Sequence, residues 1–563
     1  MTTHAEISPT REGEALNRSP RFALRLVLIA LMHGLGFEIL FFGHRIGISI
    51  FLLTVLLSGG FLALAALRGK KPARESLMLL FVINFFAWMT MLRLEPMTIF
   101  ANLLIILGFF ALLVRTYYNG RIFRFGWLDF SWTIIGVPVE VWLRPWRVLA
   151  NAQKSLFKPG GGRNSTLAFM RGLILALPII IILLGLLTSA DLIFAERVAT
   201  ALDWLNLQRL TEYAGRALMV VTSTVFFLGG LVIALRSESE RASAKLGGIK
   251  PFLGPIEAFV VLGAVDLLFT SFVIFQFVYL FGGSANISDT GYTLAEYARR
   301  GFFELVAVGV LSIALILLLA IWTRRGEKIV RNWFLALSGI LVVEVGVILI
   351  SALTRLLLYE NAFGFTRLRT YAHVLIPWIG ILLAAFLILL VRDYLRYLPQ
   401  MVITCGIGLV VTLNLLNVDR FIVRQNIARY EASARIDLDY LFSLSEDAVP
   451  DLIAFAAGAP EDIRVRILGE MGCWQLQIAE FVETHSWPSG HRSRNIAYGL
   501  MKGLEEDLEK YEITQEEWGY WHYEYHGDNT GCAHQAWIRE NWGREVNFRN
   551  CVGRSLPRCY ALL

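Results

Sequence analysis

Long apolar stretches dominate residues 22–416, after which the chain turns polar and stays polar to its end. Runs of about 20 apolar residues match the hydrocarbon thickness of a bilayer and exceed what a water-soluble helix needs. Because every backbone N–H and C=O must be paired inside hydrocarbon, each run is predicted to be an α-helix. About 11 spans are expected, at Phe22–Phe42, Gly47–Leu67, Ser76–Met91, Met97–Val114, Leu167–Leu187, Arg216–Leu235, Pro255–Leu280, Phe302–Trp322, Trp333–Leu353, His373–Val391 and Pro399–Leu416.

The predicted fold is therefore all-α, a polytopic transmembrane helix bundle with a small helical soluble domain at its C-terminus. Residues 1–21 form an N-terminal segment, residues 22–416 the bundle, and residues 417–563 the soluble domain. Short charged or capped segments in this domain predict a small helical array, and the chain from Trp518 onward looks less regular. The predicted helices are Arg420–Arg435, Leu438–Ser443, Asp447–Ala457, Ile463–Met471 and Leu504–Lys510.

Charge is distributed unevenly between the two parts. Residues 1–417 hold 37 Lys and Arg against 23 Asp and Glu, whereas residues 418–563 hold 15 against 23. The positive charge sits in short loops between spans, on alternate sides of the bundle, which is typical of an orientation signal and not of a nucleic-acid-binding face. The positive-inside rule predicts a cytoplasmic N-terminus in a plasma membrane. An odd number of spans then puts the acidic domain outside, and one helix more or fewer would reverse that side.

The longest loop, residues 115–166, interleaves Trp and Phe with Arg. This pattern suits the headgroup layer, so an interfacial amphipathic segment is predicted, with a short membrane hairpin at Trp132–Val141 as the alternative. The Gly-rich run between Lys158 and Arg163 lacks the Gly-Lys-Ser/Thr ending of a phosphate-binding loop. We therefore expect no nucleotide and no cofactor.

Ionisable residues inside the spans are candidates for function because a charge in hydrocarbon is costly unless it faces the bundle interior. Those predicted to lie within the membrane are Asp266, Glu344, Glu257 and Glu38. A second group is predicted at the outer leaflet, where it could open outward as a polar vestibule: Arg299, Arg300, Glu304, Arg355, Arg367, Arg369, His373 and Asp191. These residues could be interhelical salt bridges, a transport or proton relay, or an outward-facing pocket. No nucleophile stands beside a base at a recognisable spacing, so no catalytic residue is assigned.

Spacing limits how these groups can pair. Glu344 and Arg355 are 11 residues apart, so they share a helix face but stand about 16 Å apart along it. Each therefore needs a partner on another helix. Glu257 and Asp266 are nine residues apart and lie on nearly opposite faces of their span.

Five strings of the chain resemble a bacterial membrane-protein family. They are Leu177-Pro178 running to Ser189-Ala190-Asp191, Gln276-Phe277-Val278-Tyr279-Leu280-Phe281-Gly282-Gly283, Tyr297-Ala298-Arg299-Arg300-Gly301-Phe302-Phe303-Glu304-Leu305, Thr366-Arg367-Leu368-Arg369-Thr370-Tyr371-Ala372-His373, and Asn417-Val418-Asp419-Arg420-Phe421-Ile422-Val423. The family is similar over about Ala168–Tyr440 and is the domain of unknown function numbered 4173. The resemblance implies a bacterial integral membrane protein with no established activity, and it marks the Arg and Glu of these strings as motif positions without a role.

The acidic domain contains Cys473, Cys532, Cys551 and Cys559. An even number of cysteines in a domain predicted outside the membrane is consistent with disulfides of unknown pairing. The competing hypothesis is a zinc site, because His522, His526, Cys532 and His534 are enough ligands for one. Their spacing matches no standard zinc finger, and unpaired structural thiols remain the third interpretation.

Three functional classes are compatible with these features. The first is a non-catalytic membrane sensor, regulatory or scaffold component with an extracytoplasmic domain that meets a protein partner. The second is a transporter of a small solute or lipid that uses the intramembrane carboxylates. The third is a membrane-embedded enzyme acting at the outer leaflet. The lipid bilayer is the one partner that the sequence requires.

Overall fold

A computed structural model describes most of the bundle and part of the acidic domain. The described residues are 20–44, 46–156, 187, 191, 207–236, 252–279, 302–324, 326–484, 492–503, 514–515, 521–525 and 528–531. The chain divides into a bundle unit, Met1–Ile422 with Ser489–Arg492, and a C-terminal unit, Val423–Pro488 with Ser493–Leu563.

Apolar helices form the bundle unit, which confirms the all-α transmembrane fold. Ten helices among the described residues are long and apolar enough to cross a membrane, so the protein is a multi-pass membrane protein. The predicted fifth span, Leu167–Leu187, lies outside the described residues except for its last residue. The helices are α1 Pro20–Phe41, α2 Ile48–Arg68, α3 Arg74–Leu92, α4 Pro96–Thr116, α5 Trp127–Leu156, α6 Leu207–Arg236, α7 Pro255–Tyr279, α8 Phe302–Trp322, α9 Lys328–Phe363, α10 Arg367–Val391 and α11 Leu398–Leu416.

Hydrogen bonds to backbone carbonyls join helix ends on the side of the bundle where the Arg-rich loops lie. Arg68 at the end of α2 donates to the Leu235 carbonyl near the end of α6, over 2.9 Å. The backbone N–H of Leu253, just before α7, donates to the Trp322 carbonyl at the end of α8, over 3.0 Å. We call this side of the bundle the basic end. The opposite end contains the starts of α4 and α10 and the ends of α9 and α11.

The bundle buries apolar side chains in two clusters. One lies among α1–α6, with a contribution from α11, and the other joins α7–α11. Large apolar side chains such as Phe81, Ile256 and Leu267 stay exposed on the outer surfaces of the helices. Surfaces of this kind suit lipid tails, so packing between helices relies on close fit and polar contacts.

Helix α5 is one continuous helix of 30 residues in the region predicted to be interfacial. The residues just before α5 lie at the basic end, because Gln400 at the start of α11 donates to the Phe125 carbonyl over 2.8 Å. Glu140 at its middle pairs with Arg115 at the end of α4, at 3.2 Å. The exposed Trp132 and Trp146 face away from the bundle. The helix thus runs without the chain reversal of a hairpin, and its place in the headgroup layer stays a prediction.

We expect Gly229→Ala to detach α5 from α6 and to destabilise the bundle by about 1–3 kcal/mol through overpacking. A Cβ at Gly229 would lie 1.9 Å from the backbone oxygen of Val141, and backbone cannot rotate aside as a side chain can. Thermal unfolding in detergent measures the effect. Gly215→Ala on the same helix is the matched control, because a Cβ there meets nothing within 4 Å. Equal unfolding temperatures for the two variants would contradict the predicted close approach.

The C-terminal unit is built from short helices and a small sheet. The helices are α12 Val418–Ser433, which begins in the bundle unit, α13 Leu438–Phe442, α14 Val449–Gly458, α15 Glu461–Thr484 and α16 Arg492–Lys502. The predicted positions of α12, α13 and α14 agree within about two residues, whereas α15 continues well beyond the predicted Ile463–Met471 and α16 was not predicted. The predicted helix Leu504–Lys510 lies outside the described residues. Strands β1 Thr514–Gln515, β2 Trp521–Tyr525 and β3 Asp528–Gly531 form an antiparallel sheet in that order. The sequence pattern does not predict this sheet, because strands this short carry little periodicity.

Candidate functional site

A buried ion pair at the opposite end joins the first turns of α10 and α12. The Arg367 guanidinium donates from Nε to Oδ1 of Asp419 over 2.8 Å and from Nη2 to Oδ2 over 2.7 Å. The planar guanidinium fork matches a carboxylate in this two-bond geometry. Asp419 is completely buried. Its position in the first turn of α12 also places a negative charge at the positive end of the helix dipole.

A second buried carboxylate, Glu95, lies where α4 begins. It caps the helix by accepting the backbone N–H groups of Met97 over 2.9 Å and Thr98 over 2.7 Å, and the Thr98 hydroxyl over 2.6 Å. The Tyr371 hydroxyl of α10 also donates to Glu95. Tyr371 follows Arg367 by one helical turn. The same face of α10 therefore holds both the Glu95 and the Asp419 carboxylates.

Two buried asparagines link α4 to α11 in the same region. Asn102 donates to the side-chain oxygen of Asn414 over 3.0 Å, and Asn414 donates back over 2.7 Å. Arg93 donates to the Asn414 backbone carbonyl over 2.7 Å. Amide pairs of this kind hold helices together in hydrocarbon because each satisfies the other.

We expect Asn414→Leu to destabilise the bundle by about 1–2 kcal/mol, because Asn102 loses its partner inside the membrane. Adding Asn102→Leu should recover part of this loss, since no unpaired amide then remains. Unfolding in mixed micelles of the two single variants and the double variant measures this coupling. Strictly additive losses would show that the pair contributes nothing beyond side-chain volume.

Two motif residues of α10, Arg369 and His373, contact the end of α9 and the turn that follows it. Nδ1 of His373 lies 3.2 Å from the buried Glu360 carboxylate. Arg369 donates to the Gly364 carbonyl, and its guanidinium stands 4.1 Å from the ring centre of Tyr359. Gly364 has a φ of 79°, a conformation that favours glycine. Arg369 and His373 of α10 thus stabilise the turn and the end of α9 that precedes it.

A separate line of polar groups runs between α7 and α9. The Thr270 hydroxyl donates to Oε1 of Glu344 over 2.5 Å, and Asp266 precedes Thr270 by one turn on α7. Further along, Oε1 of Gln276 accepts from Ser351 over 2.5 Å and from Arg355 over 3.2 Å. Glu344 and Arg355 thus contact partners on another helix, as their spacing requires.

Among the residues that the structure describes, the predicted intramembrane and outer-leaflet side chains are spread over several helix interfaces. Within the described residues, the outer-leaflet side chains take separate partners: Arg355 with Gln276, Arg367 with Asp419, Arg369 with Tyr359, and His373 with Glu360. The reason is that helix packing turns these side chains into different interfaces, although they share one end of the bundle.

Other predicted residues lie elsewhere. Glu38 pairs with Arg216 between α1 and α6, at 2.7 Å. Glu257 and Glu304 are exposed in the first turns of their helices, and Asp191 is exposed. Arg299 and Arg300 lie outside the described residues.

The structure describes few of the residues proposed for the disulfides and the zinc site of the acidic domain. Cys473 lies on α15 and His522 lies in β2. The others, Cys532, Cys551, Cys559, His526 and His534, lie outside the described residues. Where the structure describes the chain, no group of three or more His, Cys, Asp or Glu residues could hold a metal ion.

Several members of these clusters are not among the site residues that the sequence predicts. They are Glu95, Asn102, Gln276, Glu360 and Tyr371. A signal was available for Glu95 alone, because an acidic residue directly before Pro96 at the start of an apolar run is a helix-start pattern. The others are ordinary polar residues until their neighbours in space are known.

Comparison with known proteins gives the family but no activity. No match is found among curated proteins or among solved structures. Residues 76–455, about two thirds of the chain, match a family described as a domain of unknown function (DUF4153). The family number 4173 suggested by the sequence strings is therefore wrong, although the expectation of a family of unknown function is confirmed. By the extent of this match, the chain belongs to the DUF4153 family.

Proposed function

We propose that the protein is a non-catalytic membrane regulatory component whose bundle positions the C-terminal unit for contact with a protein partner. The observation that carries this proposal is the buried Arg367–Asp419 pair. Helix α12 begins in the bundle unit with Asp419 in its first turn and continues past Ile422 into the C-terminal unit. A helix clamped at one end can transmit a shift of its support to the residues that follow.

Further contacts hold the start of α12 within the bundle unit. Asn417 adopts a left-handed backbone conformation, with φ of 54°, between the end of α11 and the start of α12. The rings of Phe365 and Phe421 pack edge to face with their centres 5.5 Å apart. Together with the ion pair, these contacts tie the start of α12 to the turn between α9 and α10. A change in that turn would therefore reach α12 directly.

The distribution of charge supports an orientation for this proposal. Lys and Arg concentrate at the basic end, so we place that end in the cytoplasm of a bacterial plasma membrane. The start of α12 lies at the opposite end, so the C-terminal unit is extracytoplasmic in this arrangement. Labelling of cysteines such as Cys473 by a membrane-impermeant thiol reagent tests it. We expect labelling in intact cells, after reduction if the thiols are oxidised, and labelling only after lysis would reverse the orientation.

Hydrogen exchange tests whether the bundle influences the C-terminal unit. In lipid nanodiscs, Arg367→Gln should speed amide exchange in α12 and also change the protection of α14 and α15. Arg424→Gln is the matched control, because Arg424 forms an exposed ion pair with Asp451 inside the C-terminal unit. If amide exchange changes only in residues up to Ile422 while the protein stays folded, the ion pair anchors α12 without influencing the C-terminal unit. That result would contradict the proposal.

Transport of a small solute is a second candidate function. The observation that favours it is the pair of buried carboxylates, Asp266 and Glu344, inside the bundle. Ionisable groups at such positions often mark ion or proton pathways. Proteoliposomes loaded with a pH-sensitive dye test it: a proton flux driven by a solute gradient should disappear in Asp266→Asn. Absence of any flux in the unmodified protein across a panel of solutes would favour the regulatory role.

A further inference from the structure

We propose that Asp266, Glu344 and Thr270 form an exchangeable site for a small monovalent cation, H⁺ or Na⁺, between α7 and α9. The proposed site is compatible with either candidate function, since a regulatory protein could sense whether the cation is bound and a transporter could move it. Cation binding and solute flux are therefore separate measurements, and either can fail without the other.

Burial and hydrogen bonding define the site. The two carboxylates are 7% and 8% exposed, so each is more than nine-tenths buried. Thr270 satisfies one Glu344 oxygen, while the second Glu344 oxygen and both Asp266 oxygens have no hydrogen-bond partner among the described residues. Asp266 and Thr270 are four residues apart, so they share the face of α7 on which Thr270 contacts Glu344. Three carboxylate oxygens are thus left to bind a cation.

Electrostatics requires a positive charge at this place. Two carboxylates side by side in a low-dielectric interior cannot both stay ionised, so they take up a proton or hold a cation. The nearest cationic side chain along α9, Arg355, stands about 16 Å from Glu344 along the helix axis. It contacts Gln276 and does not neutralise the pair directly.

No other charged group of the neighbouring helices compensates the pair. Helices α7, α8 and α10 pack against α9. On α7 and α8 the remaining charged residues, Glu257 and Glu304, lie in the first turns. On α10 the charged groups are Arg367, Arg369 and His373, in the first two turns at the opposite end. Among α7, α8, α9 and α10, the middle of the described helices therefore has two acids and no base.

A second polar cluster lies along the same α7–α9 interface, toward the opposite end of the bundle. Ser351 and Arg355 of α9 both donate to Oε1 of Gln276 on α7. From Asp266 to Gln276 the rise along α7 is about 15 Å. The Ser351 hydroxyl and the Gln276 amide are the groups of this cluster that can contact a cation or a proton, whereas the positive charge of Arg355 marks its far side.

Carbodiimide labelling tests the site. A hydrophobic carbodiimide adds to a protonated carboxylic acid buried in an apolar setting and leaves an ionised or cation-bound carboxylate unmodified. In purified full-length protein, we expect an adduct on Asp266 or Glu344, located by peptide mass spectrometry. Its yield should fall by about tenfold or more between about pH 5 and about pH 9, as the acid loses its proton. At fixed pH, protection by NaCl but not by KCl would identify Na⁺ as a ligand.

Variants show whether the carbodiimide reacts at this site or with carboxyl groups in general. Asp266→Asn and Glu344→Gln should each remove or displace the adduct, and Thr270→Val should alter the pH at which labelling falls. Glu257→Gln is the matched control, because Glu257 is an exposed acid on the same helix, and it should leave labelling of the pair unchanged. Size-exclusion profiles establish that each variant is folded. No adduct on either acid, or an adduct insensitive to both pH and NaCl, would overturn the proposal.

Discussion

Replacing Arg367 by methionine is expected to lower the free energy of unfolding by about 3–5 kcal/mol, because it leaves a buried charge without its partner. Asp419 is completely buried and receives two hydrogen bonds from the guanidinium. Methionine keeps the length of the side chain but supplies no donor. The loss is therefore dominated by the cost of the uncompensated carboxylate, and less by the contact itself.

A double-variant cycle in mixed detergent micelles measures this effect. Arg367→Met combined with Asp419→Leu should be more stable than Arg367→Met alone, since the buried charge is then gone. Arg424→Met is the control, because the exposed Arg424–Asp451 pair should contribute about 0.2–1 kcal/mol. If Arg367→Met costs no more than this control, the pair does not clamp the start of α12 and the regulatory proposal loses its main support.

Replacing Glu95 by alanine is expected to cost about 3 kcal/mol. Loss of a helix cap accounts for about 1 kcal/mol. Removing the acceptor of a buried hydroxyl costs about 1–3 kcal/mol more, and both Thr98 and Tyr371 donate hydroxyl hydrogens to Glu95. The substitution would therefore loosen the start of α4 and its contact with α10 together.

A graded series distinguishes these contributions. Tyr371→Phe removes one donor and should cost about 1 kcal/mol. Glu304→Ala removes an exposed acid from the first turn of α8, and we expect a change within about 0.5 kcal/mol. Unfolding monitored by tryptophan fluorescence compares the three variants. A cost for Glu95→Ala equal to that for Tyr371→Phe would mean that the cap contributes nothing.

Local properties of the chain made the membrane helices predictable. The shortest predicted span, Ser76–Met91, is part of helix Arg74–Leu92, and the last span, Pro399–Leu416, differs by one residue at its start. Apolar run length needs no knowledge of neighbours, because hydrocarbon forces each run to pair its own backbone. Helix α9 is longer than predicted because its first and last turns contain charged residues, Lys328 and Arg331 at the start and Arg355 and Glu360 at the end. The apolar run, from which the span was predicted, is shorter than the helix. The polar ends of α9 remain helical beyond the apolar run.

The candidate sites were predictable only in part. Depth in a span correctly indicated that Asp266 and Glu344 are buried, since ionisable groups avoid lipid. Spacing along one helix also showed that Arg355 needs a partner elsewhere. Which partner it finds depends on the rotation of α7 against α9, and that rotation follows from packing along the whole interface. The contacts with Thr270 and Gln276 were therefore beyond sequence reasoning.

By itself, the sequence determined the class of fold, nearly all of the described helices and the residues whose burial in hydrocarbon is expensive, because run length, charge and spacing are local properties. The tertiary structure alone decided which of them meet. Asp419 lies 52 residues from Arg367, Glu95 lies 276 residues from Tyr371, and Asn102 lies 312 residues from Asn414. These pairs form because several helices pack at particular rotations and heights, and no single segment contains the information that sets them.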